Sequence, residues 1–182
     1  MTTIEQNRQT LPTGTWQVDP VHSQVGFEIE YLVGTFRGTF SPFDATLTVD
    51  EDGSATLRGS TRVESVKVQD ENLTVHLQSP DFFDAERAPE LGFASSEIRL
   101  AGDALTIEGE LSLKNAKRPV ELRGTLGAPV VDPWGNERIS LTLAGTIDRT
   151  AFGLDWNNPL PSGEPALAND VTLTAELFLV KA

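Results

Sequence analysis

Apolar and polar residues alternate along most of this chain. In the first long stretch, Val25, Phe27, Ile29 and Tyr31 take turns with polar or small neighbours. Because successive side chains of a β-strand point to opposite faces of its sheet, a period of two predicts strands with one dry and one wet face. The pattern returns between short polar turns along nearly the whole sequence, which favours an antiparallel sheet curved around an apolar interior.

Most segments between the predicted strands are turns, and none provides the long helix that a parallel crossover needs. We therefore predict an all-β fold in which the strands form an up-and-down barrel or a sandwich. Closure into a barrel would remove exposed sheet edges. Some inward positions are glycines, which fit either strong coiling of the strands or empty room inside a barrel. These are Gly59, Gly109, Gly124 and Gly145.

The alternation first stops between about residues 68 and 92. Here Ser79–Asp81 has a capping serine followed by proline and aspartate, which is typical of a helix start. The sequence predicts a short helix that carries Phe82 and Phe83 and ends before Pro89. Large apolar side chains outside strands need a surface to cover, so we expect this helix to close one end of the barrel.

The alternation stops again between about residues 148 and 170. This segment is too long for a hairpin and predicts an ordered flap, which carries Phe152 and Trp156. We expect the flap to bound the barrel interior together with the predicted helix. The adjacent Asp148 and Arg149 are interpreted as a structural ion pair that ties the flap to the end of the barrel.

Composition excludes several kinds of partner and chemistry. The 182 residues fit one domain, and the formal net charge of −13 disfavours nucleic acid and anionic lipid surfaces. Cysteine is absent, which excludes a disulfide, a thiolate nucleophile and a cysteine-based metal site. Residues 1–13 are polar and predict a disordered lead-in to a barrel domain of residues 14–182. Because the chain as given has no signal peptide and no apolar span of membrane length, we expect a cytoplasmic protein without stable membrane insertion.

His22 and His76 are the only histidines, and both are interpreted as structural residues. Asp19 and Ser23 offer His22 local hydrogen-bond partners at a corner between strands, although a nearby carboxylate could also orient it for proton transfer. No His-x-His or His-x-x-x-His spacing and no nucleophile elbow is present. We therefore expect no catalytic residue, no metal site and no cofactor.

Several blocks of this sequence occur together in one order: Trp16-x-x-Asp19-Pro20-x-His22-Ser23-x-Val25-x-Phe27, Gly34-x-Phe36-x-Gly38-x-Phe40, His76-Leu77-x-Ser79-x-Asp81-Phe82-Phe83-Asp84, Pro89 with Phe93-x-Ser95-Ser96, Gly109-x-Leu111 with Pro119-Val120, and Asp148-Arg149-x-x-Phe152-Gly153-Leu154. In this combination the chain resembles the YceI-like family of lipocalin-like, polyisoprenoid-binding proteins. The resemblance extends from about Thr15 to Lys181. It implies an extended eight-stranded antiparallel β-barrel around an elongated apolar tunnel, with one short helix and a long flap.

The resemblance further implies non-catalytic binding, storage or transport of a long isoprenoid lipid, either a polyprenyl lipid or an isoprenoid quinone. A homodimer is also implied, because dimers occur in the family. The expected ligand-binding residues are mainly aromatic: Phe27, Phe36, Phe40, Phe82, Phe83, Phe93, Phe152, Trp156 and His76. Two alternatives stay open. One is an enzyme that acts on a lipid-like substrate inside the barrel with His22 or His76 as base, and the other is a β interaction module with a filled core.

Overall fold

The computed structural model of this protein describes residues 10–182, in which the chain forms eleven β-strands and one α-helix. The strands are β1 (Gly14–Val18), β2 (Gln24–Tyr31), β3 (Gly34–Phe40), β4 (Phe43–Val49), β5 (Ala55–Arg62), β6 (Val66–Lys67), β7 (Glu90–Ala101), β8 (Ala104–Leu113), β9 (Ala116–Val131), β10 (Glu137–Asp148) and β11 (Leu167–Lys181). The helix α1 spans Glu71–Gln78. Residues 1–9 of the predicted lead-in lie outside the described part of the chain, so its disorder stays a prediction.

The sheet closes into an eight-stranded antiparallel barrel. Hydrogen bonding follows the ring β1-β4-β5-β7-β8-β9-β10-β11, and β1 pairs with β11 to complete it. Three further strands extend the barrel wall. β2 pairs with β11 beyond the point where β1 ends, β3 pairs with β2, and the short β6 pairs with the carboxyl end of β3. The break between β3 and β4 falls at Ser41–Pro42, because proline lacks the N–H group that a sheet ladder needs. The eight-stranded barrel that the family resemblance implies is thus confirmed, and the sandwich that the alternation also allowed is wrong.

The barrel interior contains two apolar layers. Around β1, β4 and the carboxyl end of β11, side chains pack densely, and Trp16, Leu47, Ile107, Leu141 and Leu179 are almost fully buried. We call this the packed end. The opposite layer lies beneath α1 and the segment before β11, and it contains most of the buried phenylalanines. We call this the flap end, and the flap itself is residues 153–166.

The predicted helix at Ser79–Asp81 is wrong in its position, because the helix lies directly before this segment. Asp70 caps α1 by accepting a hydrogen bond from the Leu73 N–H at 3.0 Å. Ser79 instead caps the carboxyl end, where its hydroxyl donates to the His76 carbonyl at 2.6 Å. Residues 79–87 then form successive turns, and the left-handed backbone of Asp84 (φ 54°) prevents a second helix.

The inward glycines serve two different purposes. Three of them allow strands to approach closely: a Cβ atom at Gly124 would overlap the Thr142 carbonyl oxygen, and one at Gly109 or Gly145 would crowd a neighbouring backbone oxygen. At Gly59 the nearest backbone atom, the Asp44 carbonyl oxygen, would lie at 3.5 Å, an ordinary contact. Coiling of the strands therefore explains Gly109, Gly124 and Gly145, whereas Gly59 leaves room inside the barrel.

A hydrogen-bonded ion network ties the β9–β10 hairpin to the corner between β1 and β2. Arg138 donates to Asp132 at 2.7 Å and to Asp19 at 2.9 Å, and Asp19 also contacts the His22 ring at 2.7 Å. The pKa of Asp19 is lowered to about 2, mainly by its hydrogen bond with His22 and further by Arg138. The pKa of Asp132 is also lowered to about 2, mainly by Arg138. His22 lies on the outer surface with its side chain 62% exposed, which fits its predicted structural role.

Two glycine substitutions test the close approach of the strands. We expect Gly124→Ala to lower the free energy of unfolding by at least about 3 kcal/mol, since the backbone of β10 would have to move away. Gly59→Ala should stay within about 1 kcal/mol of the parent protein. Urea unfolding monitored by tryptophan fluorescence measures both. Equal stability of the two variants would contradict this account of the barrel.

The ion network makes the barrel sensitive to acid. Because Asp19 and Asp132 hold pKa values of about 2 in the folded protein, below the ordinary value of about 3.9, the unfolded chain binds more protons between these two values. We expect the stabilisation to be complete above about pH 5 and to be lost progressively as the pH falls through about 2. Denaturant unfolding at several pH values measures this slope.

Asp132→Asn and Arg138→Gln should both make that pH dependence shallower, since each removes one charge of the ion pair between Asp132 and Arg138. An unchanged slope in both variants would show that other carboxylates cause the loss of stability in acid.

Candidate functional site

A cavity of about 440 Å³ occupies the flap end of the barrel. Its walls come from the inward faces of the strands, and its floor includes Leu57, Leu143 and Leu177 of the packed end. Helix α1 covers it with Leu73, His76 and Leu77, which the helical repeat places on one face. The volume falls within the ordinary range for small-molecule pockets, about 300–1,000 Å³, and the lining is predominantly apolar.

The structure brings together most of the residues that the sequence pointed to. Eight of the nine expected residues line the cavity: Phe27, Phe36, Phe40, Phe82, Phe83, Phe93, Trp156 and His76. Phe152 differs, because it is only 4% exposed and packs in the surrounding core without lining the cavity. Whether these residues contact a ligand stays a prediction.

Four phenylalanines form a connected aromatic wall. The Phe27 ring lies 6.2 Å from Phe36, 6.0 Å from Phe40 and 6.2 Å from Phe83, and the Phe40 and Phe83 rings are 5.8 Å apart. The contacts of Phe83 are edge-to-face, which is a favourable geometry for aromatic pairs. The turn after α1 therefore inserts Phe83 into the barrel, although this residue is not on a helix as predicted.

His76 marks the boundary between the cavity and solvent. Its ring centroid lies 4.9 Å from both Phe82 and Trp156 in edge-to-face contacts, and its side chain is 34% exposed. The Nε2 atom lies 2.9 Å from a carboxylate oxygen of Asp81. A carboxylate can orient an imidazole for proton transfer, but the same contact also fixes the ring between its aromatic neighbours. Both interpretations of His76 are compatible with this geometry.

Arg149 is the functional candidate that the sequence interpretation missed. Arg149 lines the cavity and is only 3% exposed. Its guanidinium group donates hydrogen bonds to the carbonyls of Ala168, Leu154 and Trp156 at 2.8, 2.6 and 2.9 Å. Asp148 instead accepts hydrogen bonds from Thr150, at the start of the turn that follows β10. The expected ion pair with Asp148 is therefore wrong, because backbone carbonyls of the flap and of β11 take its place.

A second side chain also fixes the flap. The Asn157 amide donates to the Leu167 carbonyl at 2.7 Å and accepts from the Leu167 N–H at 3.0 Å. The left-handed backbone of Gly153 (φ 79°) ends the turn before the flap. In the sequence, an aspartate that can cap a turn precedes Arg149, and a glycine that can end the turn follows Phe152. This local pattern could have predicted that Arg149 lies next to the flap.

The described residues contain no group of three or more His, Cys, Asp or Glu side chains that could hold a metal ion. In the same part of the chain, none of the helical structure has the length and hydropathy to cross a membrane. Besides its apolar wall, the cavity lining includes His76, which has Asp81 as its partner, and Arg149, and the other polar residues on it are Tyr31, Asp44, Arg58, Ser60, Thr61 and Thr174.

Comparison with known sequences gives one consistent family. A family model described as the YceI-like domain matches residues 16–179. Protein YceI of Escherichia coli O6:H1 is 34% identical over 137 residues, which are 73% of this chain and 71% of that protein. The UPF0312 protein SERP2314 of Staphylococcus epidermidis is 32% identical over 163 residues, or 86% of this chain and 92% of its own length.

Solved structures share the fold at lower sequence identity. BcnA of Burkholderia cenocepacia superimposes with a TM-score of 0.76 at 21% identity, covering 88% of this chain and 98% of that one. A polyisoprenoid binding domain from Saccharophagus degradans, implicated in plant cell wall breakdown, gives a TM-score of 0.66 at 11% identity, covering 92% of this chain and 98% of that one. At these identities the likeness concerns the fold alone.

Proposed function

The chain belongs to the YceI-like family, and from this membership and the apolar cavity we propose that the protein binds a long-chain isoprenoid lipid inside its barrel. The ligand is a polyprenyl lipid or an isoprenoid quinone, and the protein stores or carries it without catalysis. The observation that carries this proposal is an apolar cavity kept open inside a closed barrel.

The physical basis of the proposed binding is burial of hydrocarbon. Each methylene group that moves from water into an apolar site contributes about 0.8 kcal/mol, so a chain of several isoprene units can bind without polar contacts. The rings of Phe27, Phe83 and Trp156 offer large apolar faces to such a chain. The polyisoprenoid binding domain from Saccharophagus degradans, which has the same fold, supports this choice of ligand.

An enzyme that acts inside the barrel is the second candidate function. His22 does not line the cavity and is excluded as its base by position. His76 lines the cavity and has a carboxylate partner in Asp81, so it is the residue on which such an activity would depend. The third candidate, a module with a filled core, is disfavoured by the cavity itself. A cytoplasmic location and a homodimer stay predictions.

The identity of the ligand is tested by extraction. We expect organic extraction of the protein, purified from its native source, to release a prenyl lipid or quinone that mass spectrometry identifies. A protein that is free of lipid and that fails to bind polyprenyl probes in titrations would contradict the proposed function. Turnover of a bound lipid that is lost in His76→Ala would favour the enzyme instead.

Substitutions at the cavity wall test where the ligand lies. Phe82→Ala, Phe83→Ala and Trp156→Ala each remove an aromatic face, and at least one should weaken binding of a polyprenyl probe by about 1–3 kcal/mol. Phe178→Ala is the matched control, because this ring lies on the outer surface of β11. Titrations are run below the melting temperature of each variant. Binding by all three variants as tight as by the parent would place the ligand elsewhere.

A variant that fills the cavity complements these truncations. Gly59→Leu adds a side chain at a cavity position where a Cβ atom meets no closer atom than the Asp44 carbonyl oxygen at 3.5 Å. We expect it to fold and to compete with the ligand for space, which should lower the affinity for long probes more than for short ones. An affinity that is unchanged for every probe length would contradict the proposed position of the chain.

A further inference from the structure

Two covers close the flap end of the barrel, and they meet at three aromatic rings. One cover is α1 with the turns that follow it, residues 71–87, which we call the helical cover, and the other is the flap. The His76 ring lies 4.9 Å from both Phe82 and Trp156, and the Phe82 and Trp156 rings are 5.2 Å apart. All three rings line the cavity, and His76 is also partly exposed to solvent. This junction, which we call the aromatic seam, therefore separates the cavity from solvent.

The aromatic seam is not reinforced by direct hydrogen bonds between the covers. Within residues 10–182, no hydrogen bond joins residues 71–87 to residues 153–166. The bonds of each cover stay within it or run to neighbouring segments, as when the Phe83 N–H donates to the Leu77 carbonyl at 2.9 Å. Paired strands of the wall, by contrast, are joined by backbone bonds along their length. Separation of the covers thus breaks fewer interactions than separation of two paired strands.

The side chain of Lys114 connects the two covers from the turn between β8 and β9. Its ammonium group donates to the Pro80 carbonyl of the helical cover at 2.7 Å and to the Gly153 carbonyl at the start of the flap at 3.3 Å. An ammonium group has three N–H donors, so both bonds can form at once. Among the described residues, no other side chain is hydrogen-bonded to both covers.

The backbone of Lys114 is unusual for a lysine. Lys114 (φ 51°) and Asn115 (φ 58°) both have left-handed backbones, which the two central residues of a type I′ hairpin turn require. Asparagine and glycine are favoured at such positions, whereas a lysine there has its Cβ atom crowded by the backbone. Residues in disfavoured conformations cluster at ligand clamps and switch segments. The hairpin itself gives no reason for a lysine at this position, but the bonds of its side chain to both covers do.

We propose that Lys114 is a latch, whose bonds to both covers set the rate at which the aromatic seam opens and the ligand enters or leaves. This inference rests on the proposed function and specifies how access to its site is controlled. Lys114 does not line the cavity, so its bonds form whether the cavity is empty or filled and break only while the seam is open. The latch therefore slows entry and release by the same factor and leaves the Kd unchanged.

The exchange kinetics of a prenyl probe test the latch. A C20 prenyl alcohol that carries a dansyl group is mixed with the protein in a stopped-flow instrument, and its release is followed after addition of excess unlabelled alcohol. We expect Lys114→Met to raise both rate constants about three- to tenfold, the factor for loss of a modest hydrogen bond, and to keep the Kd within about twofold of the parent value. Rate constants equal to those of the parent, or a change in release alone, would overturn the latch.

Two further variants separate the latch from the stability of the hairpin. Lys114→Asn suits the left-handed backbone better but is too short to reach both carbonyls, so it should exchange the probe as fast as Lys114→Met. Lys114→Arg keeps a cationic donor on a long side chain and should exchange the probe as slowly as the parent.

Lys117→Met is the matched control, because the ammonium group of this lysine on β9 makes no hydrogen bond or ion pair within the described part of the chain. Its exchange rates should equal those of the parent. Slow exchange in Lys114→Asn, or exchange in Lys117→Met as fast as in Lys114→Met, would overturn the role of Lys114.

Amide hydrogen exchange of the empty protein tests the latch without any ligand. The Phe83 and Leu160 amides donate to carbonyls within their own covers, so their protection reports the opening of each cover. In Lys114→Met both covers should exchange faster, while the paired strands β10 and β11 keep the protection of the parent. Unchanged protection of both covers would overturn the latch. Failure of the parent to bind any prenyl probe would instead overturn the proposed function, and hydrogen exchange would still decide whether Lys114 holds the covers together.

Discussion

The pairing of β1 with β11 is the interaction on which the cavity depends. In an open sheet, the apolar faces would have to collapse onto each other to leave water, and no empty volume would remain between them. Closure gives β1 a partner strand on each side, β4 and β11, and so joins the two edges of the sheet at the packed end. The hydrogen bonds between neighbouring strands then hold the barrel wall in place. The barrel can therefore stay closed even though side chains do not fill its interior at the flap end.

The two ends of the barrel differ in how densely their interiors are packed. At the packed end, Trp16, Leu47 and Leu179 are buried almost completely, and this layer supplies the core that a domain of this size needs. At the flap end, bulky phenylalanines surround space instead of filling it. A cavity lowers stability because its lining lacks contacts. The dense layer at the other end is what lets the fold tolerate that cost.

The cover of the cavity is held by polar contacts to the backbone. Arg149 joins the flap to β11 through carbonyl groups, and Asn157 pairs with both backbone groups of Leu167. Across the cavity, the turn after α1 is closed by Ser79. These are a few separate hydrogen bonds, whereas backbone hydrogen bonds between paired strands run along the barrel wall. The flap and the turn are accordingly the elements that a long ligand would displace on entry, because fewer interactions hold them.

The sequence by itself determined which residues face the interior. A side chain on a strand has only two directions, so the alternation of Leu105, Ile107 and Leu111 was enough to assign their face. Together with the turns it also predicted an antiparallel all-β fold, and the family resemblance added that the sheet closes into a barrel. Alternation also assigned an inward face to the strand phenylalanines, whereas the tunnel and the aromatic residues outside the strands were expected from the family resemblance.

Only the tertiary structure decided the elements that cover the cavity. Leu73, Val75 and Leu77 alternate as in a strand, yet they form a helix because Asp70 caps it and three of its side chains face the barrel. Ser79 ends that helix, although it looks like the start of another. The partners of Arg149 are carbonyl groups, which every residue has, so no pattern of side chains could identify them. Local sequence fixed the direction of side chains on strands, whereas the position of irregular segments depended on contacts between residues distant in the chain.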